Sequence, residues 1–415
     1  MEEIKIGILG LGTVGSAVAA VLRKNSASIA EKSGLEIKVK YGCDIRKVKA
    51  ACPVIRDPYV IINDPEISIV VETIGGVNPA KKLVLAAIAA GKHVVTSNKE
   101  LIALHMDEIL AAAEKKQVTV LFEGSVGGGI PILAALRDDL CADQISEIYG
   151  IVNGTTNYIL SKMTQEGKNF SEVLQQAQKL GFAEANPRMD IEGYDASFKA
   201  AILASVAFGS RIKWAQVYRE GIEKINQEDI LYAGEIGYVI KLLAVSKMTP
   251  NGIEVRVHPA LVAKSHPLAN ISENFNAIYV KGDPVGELMF YGPGAGGKPT
   301  ASAVISDVIK IASSKFKAQS FKLRSYQLKK IDEIESRYYI RLQAPDRCGV
   351  LAGISKAFAD KKVSIAAVVQ KEIVGNISTI VILIHKVKEG NLRAALKVIQ
   401  KLPVVHKVSN VIRIL

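Results

Sequence analysis

The densest chemistry in the sequence lies in Glu184-Ala-Asn-Pro-Arg-Met-Asp190-Ile-Glu192-Gly-Tyr-Asp195-Ala-Ser-Phe-Lys199, which packs four carboxylates and a lysine into sixteen residues. The run Ala201-Ile-Leu-Ala-Ser-Val-Ala207 follows, so these charges abut a buried helix rather than a tail. Pro187 and Gly193 are expected to break any helix before Tyr194, leaving Glu184, Asp190 and Glu192 on an irregular loop. Asp195 then opens a helix, with Lys199 one turn on and on the same face. An acid and a lysine at that spacing also make an ordinary surface salt bridge. The surplus of negative charge favours a functional reading. Several carboxylates and one cation suit a substrate with an ammonium group and a proton to exchange.

Two further stretches carry chemistry. Val95-Thr-Ser-Asn98-Lys99 places a second lysine just after an expected strand, where the ligand crevice of a parallel sheet lies; an exposed helix start is the alternative. In Glu123-Gly-Ser-Val126-Gly-Gly128-Gly-Ile130, three consecutive glycines let carbonyls converge, either on a cation or in a tight interdomain turn.

The elements that must position these residues begin with a strand, Ile4 to Gly10. Gly10-Leu-Gly12-Thr13-Val14-Gly15 and the apolar helix Ala17 to Leu22 come next. The first glycine permits a tight turn, the second admits a pyrophosphate, and the third packs the helix on the strand. Further strands are expected at 36–43, 67–73, 93–96 and 118–122, with helices near 79–90 and 101–115 between them. This alternation predicts a Rossmann-type doubly wound sheet of the α/β class. Asp44 ends the second strand and could bond the ribose of NAD, whereas Arg46 and Lys47 could hold the 2′-phosphate of NADP. The insert 25–35 delays Asp44 beyond the usual interval of about 20 residues. NADP is the favoured cofactor.

Composition bounds the class. The chain has 415 residues, 49% of them hydrophobic, which is enough for two or three cored domains. No apolar run is long enough for a membrane span. The four scattered cysteines lack metal-ligand spacing and suit a reducing cytoplasm. The net charge of +12 is dispersed, and its one basic concentration, Lys315 to Lys330, is expected to be a solvated linker rather than a nucleic-acid surface.

Taken in order with Asn153-Gly-Thr-Thr-Asn157, these motifs resemble homoserine dehydrogenase over about residues 1 to 320. The resemblance implies reversible NAD(P)-dependent interconversion of L-homoserine and L-aspartate 4-semialdehyde. It implies that Lys199 transfers the proton, with Lys99 its partner at the nicotinamide and Asp195 beside them. Glu184, Asp190 and Asp195 match the substrate-binding acids. Glu123, Val126, Gly128 and Ile130 match a monovalent-cation site, usually sodium, built largely of backbone carbonyls. Met189 departs from many relatives, which carry another acid there. A lysine can take the hydroxyl proton if burial or a second cation lowers its pKa; Lys99 would do so, and Asp195 would oppose it. Another oxidoreductase of amino-semialdehydes is the rival enzyme, and an NADP-sensing regulator is the non-enzymatic alternative. No kinase-like segment precedes Ile4, so a kinase fusion is not expected.

The remaining segments complete the expected layout. Residues 1–130, completed by 300–320, form the dinucleotide domain. Residues 131–299 form an α+β catalytic and dimerisation domain, with strands at 145–152 and 253–257 and helices at 171–180 and 238–248. Within it, Tyr291-Gly-Pro-Gly294-Ala-Gly296-Gly297 is a loop suited to closing over the nicotinamide, or merely a connection. A linker at 321–336 precedes a βαββαβ, ferredoxin-like module at 337–415. Its Asp346-x-x-Gly349-Val-Leu resembles the first turn of an ACT domain. That implies feedback control, most simply by L-threonine, with subunit assembly as the alternative. A homodimer or homotetramer is expected. Deletion of 337–415 is expected to leave an active dehydrogenase, since the catalytic motifs end by Gly297.

Overall fold

The computed structural model describes residues 2–313, 326–374 and 377–415. Residues 314–325, which hold much of the basic segment, lie outside the described residues. The chain divides into two compact units, 1–148 with 198–217 and 276–326, and 149–197 with 218–275 and 327–415.

The first unit is built on a six-stranded parallel sheet: β1 (Glu2–Leu9), β2 (Leu35–Cys43), β3 (Val54–Ile55), β4 (Ile67–Glu72), β5 (His93–Thr96) and β6 (Val120–Leu121). Its order is β3-β2-β1-β4-β5-β6, with every pairing parallel. That is the doubly wound dinucleotide-binding order, and its switch point falls between β1 and β4. Ile69, Val70 and Val71 of β4 are buried on both sides of the pleat, which matches their consecutive apolar run. The two-residue strand β3 left too short a run to be read from sequence.

The helix Gly297–Ala312 returns from late in the chain and buries Ala301, Val304 and Val308 against Ile6, Ile8 and Val71. Each of the two valines contributes roughly 1.5–3 kcal/mol of burial, and the alanine less. Its N-terminus packs on the first glycine turn, because a Cβ at Gly297 would stand 2.9 Å from the carbonyl oxygen of Thr13.

In the second unit the strand Tyr238–Thr249 replaces the helix expected at 238–248. It pairs antiparallel along its whole length with Gly252–Ala263, turning through Pro250 and Asn251. The strand is buried on both faces from Ile240 to Ser246, so its sequence lacks the alternation that marks a half-exposed strand. The sheet continues from Gly252–Ala263 through Lys407–Ile414, Glu335–Pro345 and Ile377–Lys388 to Ile365–Val374. The last four strands and the helices Val350–Ala359 and Glu389–Ile399 make the expected βαββαβ module, whose apolar face forms its own core.

That module is nevertheless not a separate body. Arg341, buried on its first strand, donates through Nε to Asp229 at 2.7 Å, and Asn410 Nδ2 donates to the same carboxylate at 2.7 Å. Lys329, expected in a solvated linker, instead pairs with Glu254 at 2.8 Å, and Leu328 bridges to Ile253.

Candidate active site

The glycine turn opens the dinucleotide cavity. Gly10 has φ +94°, and a Cβ on Gly15 would stand 1.9 Å from the Gly10 carbonyl oxygen, so neither position admits a side chain. A Cβ on Gly12 would meet only the Arg46 guanidinium at 3.8 Å, which leaves its backbone open to a ligand. Thr13 and Val14 begin the helix Thr13–Lys24, and no acid stands in its first turn. Its N-terminus is therefore ready for phosphate. These residues fit a dinucleotide.

The cavity encloses about 430 Å³ between Gly10, Gly12, Asp44, Arg46, Thr73 and Ile74. Asp44 is buried and accepts from the Leu11 amide at 2.9 Å and from Arg46 Nε and an Nη at 2.9 and 2.8 Å. The Arg46 guanidinium holds the Asp44 carboxyl well below the usual carboxylate range. Lys47 is exposed and does not line this cavity. Arg56 and Lys82 do line it, and sequence reasoning missed both. They fall after β3 and on the helix Ala80–Ala89, too far along the chain from the glycine turn to be linked with it by spacing.

Lys99 is the first residue of the helix Lys99–Lys116, capped by Asn98, whose Oδ1 accepts from the Leu101 amide at 3.1 Å. Lys199 lies buried on the helix Tyr194–Ala207, one turn after Asp195, as the spacing implied. Ile102 and Ala103 of one helix and Ala201 and Ile202 of the other line a cavity of about 300 Å³. The helices that carry the two lysines thus flank the same space just beyond them.

The acidic stretch is more ordered than expected. Pro187 starts a short helix, Arg188–Ile191, instead of preventing one, because proline fits a first turn where no amide donor is needed. Gly193, at φ +79°, ends it. Asp190 is therefore on a helical turn, and Glu192 at its end pairs with Arg188 at 2.6 Å. Asn153 Nδ2 donates to Asp190 at 2.6 Å and to Asp195 at 2.9 Å, holding two of the expected substrate acids on one amide. Glu184 is exposed and outside this clasp. Asn153 belonged to a recognised motif but had no expected role; its sequence signal was only that of a helix cap.

The carbonyl loop is buried at Glu123, Val126, Gly128 and Ile130. Gly127 and Gly128 take φ +72° and +57°, which bends the chain back on itself. Both carboxylate oxygens of Glu123 are engaged, by the Leu133 amide at 2.9 Å and the Ala134 amide at 2.6 Å. The Glu123 amide in turn donates to Asp307 at 2.8 Å. Among the described residues no cluster of three His, Cys, Asp or Glu side chains could hold a metal. Backbone oxygens are what this loop offers a cation.

A parallel sheet in this order, with a glycine-lined cavity at its switch point, defines a dinucleotide-binding protein of the Rossmann type. Residues 10–123 match the family model for the homoserine dehydrogenase NAD-binding domain, 131–309 that for homoserine dehydrogenase, and 338–404 that for the ACT domain. The chain is 44% identical to homoserine dehydrogenase of Neisseria gonorrhoeae, with 100% of this chain and 99% of the relative covered, and 38% identical to that of Bacillus subtilis over 100% and 99%. A crystal structure of homoserine dehydrogenase from Thiobacillus denitrificans matches with a TM-score of 0.96 at 43% identity, covering 100% of this chain and 99% of that one. A hyperthermophilic archaeal homoserine dehydrogenase in complex with NADPH matches with a TM-score of 0.64 at 28% identity, covering 76% of this chain and 100% of that one. The chain belongs to the homoserine dehydrogenase family, NAD(P)-dependent oxidoreductases that interconvert L-homoserine and L-aspartate 4-semialdehyde. The resemblance read from the motifs, and the ACT turn at Asp346 to Gly349, are borne out. Among the described residues no helix is long and apolar enough to cross a membrane.

Proposed function

We propose that Lys199, as a neutral amine, takes the hydroxyl proton of L-homoserine as C4 is oxidised, and returns it to the aldehyde oxygen in the reverse direction. The nicotinamide, when bound, exchanges the hydride with that carbon. Lys99 orients the substrate oxygen and carboxylate, and Asp190, Asp195 and Glu184 receive the ammonium group. The observation that carries this reading is the clasp of Asp190 and Asp195 by Asn153, a turn before Lys199. An amide that donates to both acids fixes where the two carboxylates stand relative to the helix that carries Lys199.

NADP is the preferred cofactor. Asp44 spends its oxygens on Leu11 and Arg46, so the group presented to the cavity is a guanidinium. Gly296, at φ +121° ahead of the returning helix, lets the second glycine loop lie over the nicotinamide end. The carbonyls of Glu123, Val126, Gly128 and Ile130 hold a monovalent cation, sodium, whose single charge suits neutral oxygen ligands. The C-terminal module binds L-threonine as a feedback effector, and the enzyme works as a homodimer or homotetramer in the cytoplasm.

Homoserine-dependent reduction of NADP and of NAD, with and without threonine, tests these assignments together. Lys199→Ala is expected to remove turnover while NADP binding stays near normal. Turnover close to the unsubstituted enzyme across the pH range would take Lys199 out of proton transfer.

A further inference from the structure

Glu72 ends β4 with no exposed surface at all, a carboxylate no step above uses. Its Oε2 accepts from the Thr96 hydroxyl at 2.5 Å, and its Oε1 from the Ile74 amide at 2.8 Å. Thr96 Oγ1 accepts in turn from the Asn98 amide at 3.0 Å. Asn98 caps the helix that starts at Lys99 and donates through Nδ2 to the Gly76 carbonyl at 2.6 Å. Two routes therefore leave one carboxylate. One runs through Thr96 and Asn98 to the backbone of Lys99; the other holds the turn Thr73 to Gly76, whose Thr73 and Ile74 line the dinucleotide cavity. Gly75 and Gly76, at φ +83° and +65°, have no strand pairing to hold them, so these side-chain bonds fix the turn.

We infer that Glu72 is a positioning residue for Lys99, setting the helix cap from which that lysine projects and tying it to the cofactor-binding turn. This rests on the reading of Lys99 as a substrate-facing group. A carboxylate needed only to complete the sheet would not have to meet two donors whose next contacts are a lysine's cap and a cofactor's turn. Burial pushes the Glu72 carboxyl up, and the hydrogen bonds from Thr96 and Ile74 oppose that shift, so the group depends on both routes being intact.

The test cuts the relay at two points. Thr96→Val keeps the volume and removes the hydroxyl; Thr96→Ser keeps the hydroxyl. Glu72→Gln removes one acceptor. Kinetics are read for homoserine and NADP in the full-length enzyme, with circular dichroism to confirm folding. We expect Glu72→Gln and Thr96→Val each to lower kcat about tenfold, the scale of a misplaced reacting group, with a smaller change in the KM for NADP, and Thr96→Ser to recover most of the loss. Placed on Lys99→Ala, either substitution should add almost nothing, because its effect passes through that lysine. Full kcat in Thr96→Val, or losses that multiply with Lys99→Ala, would overturn the inference. If Lys99→Ala itself leaves kcat intact, the underlying role of Lys99 fails instead. Should Glu72→Gln not fold, the Thr96 pair still reads the same relay.

Discussion

Nδ2 of Asn153 stands 2.9 Å from Oδ2 of Asp195, across 42 residues of sequence, and serves Asp190 with its other hydrogen. Its Oδ1 accepts from the Thr156 amide and hydroxyl, both at 2.9 Å, so one side chain caps the helix Gly154–Glu166 and clasps two acids. Asn153→Ser keeps a cap acceptor and loses the amide group that reaches both acids; Asn153→Asp keeps the cap and adds a third negative charge. Both should raise the KM for homoserine, Asn153→Asp more, with little change for NADP. KM values for homoserine in both variants equal to that of the unsubstituted enzyme would separate Asn153 from substrate binding.

Arg46 is held by two bonds to Asp44 yet keeps 64% of its side chain exposed. Removing a charge-assisted phosphate contact is worth ~1.5–3 kcal/mol. Arg46→Ala should therefore weaken NADP by that amount and NAD much less, as read by fluorescence titration of each nucleotide. Arg46→Lys should not restore it, since a lysine cannot grip Asp44 through two parallel donors. Equal weakening of both nucleotides would mean that the 2′-phosphate lies elsewhere.

Asp307 gives a pH dependence with a definite sign. Burial, with Glu123 adding to it, raises its pKa from 3.8 to about 7. The folded protein thus binds a proton that the unfolded chain releases, and this contribution to stability is complete below 3.8 and lost as pH rises through 7. Thermal melting should show stability falling across that range, and Asp307→Asn should flatten the fall. An unchanged pH profile in the variant would assign the effect to other groups.

The pattern of motifs made the first sheet legible almost strand by strand, because β1, β4 and the glycine turn are local signals that agree with one another. The strand Tyr238–Thr249 was not legible: burial on both faces removed its period, and its good helix formers then pointed the wrong way. Asp190, Asp195 and Lys199, the residues proposed for the site, could be named from their types and spacing. The side chains that contact them or their neighbours could not, since the hydrogen bonds of Asn153 and Glu72 reach 24 to 42 residues along the sequence.

The C-terminal module tests a different expectation. Its Arg341 and the Asp229 it meets are almost wholly buried, at 2% and 0% exposure, and Glu228 also contacts the guanidinium. Breaking a buried pair on one side costs roughly 3–5 kcal/mol. Arg341→Met should lower stability by about that much in urea unfolding. Deletion of 337–415 should do worse, yielding a protein that melts far lower or aggregates instead of the active, threonine-blind enzyme the motif boundaries suggested. A truncated form with unchanged melting would restore the view of a detachable tail.

The same contact sets a rule for recombination. A graft that exchanges this module between relatives at the apparent boundary near residue 330 would part Arg341 and Asn410 from the helix Gln227–Glu235 that answers them. The heritable unit is therefore discontinuous: an inherited change on that helix must suit a strand more than a hundred residues later, and crossovers between the two should survive only when both sides carry matching charge.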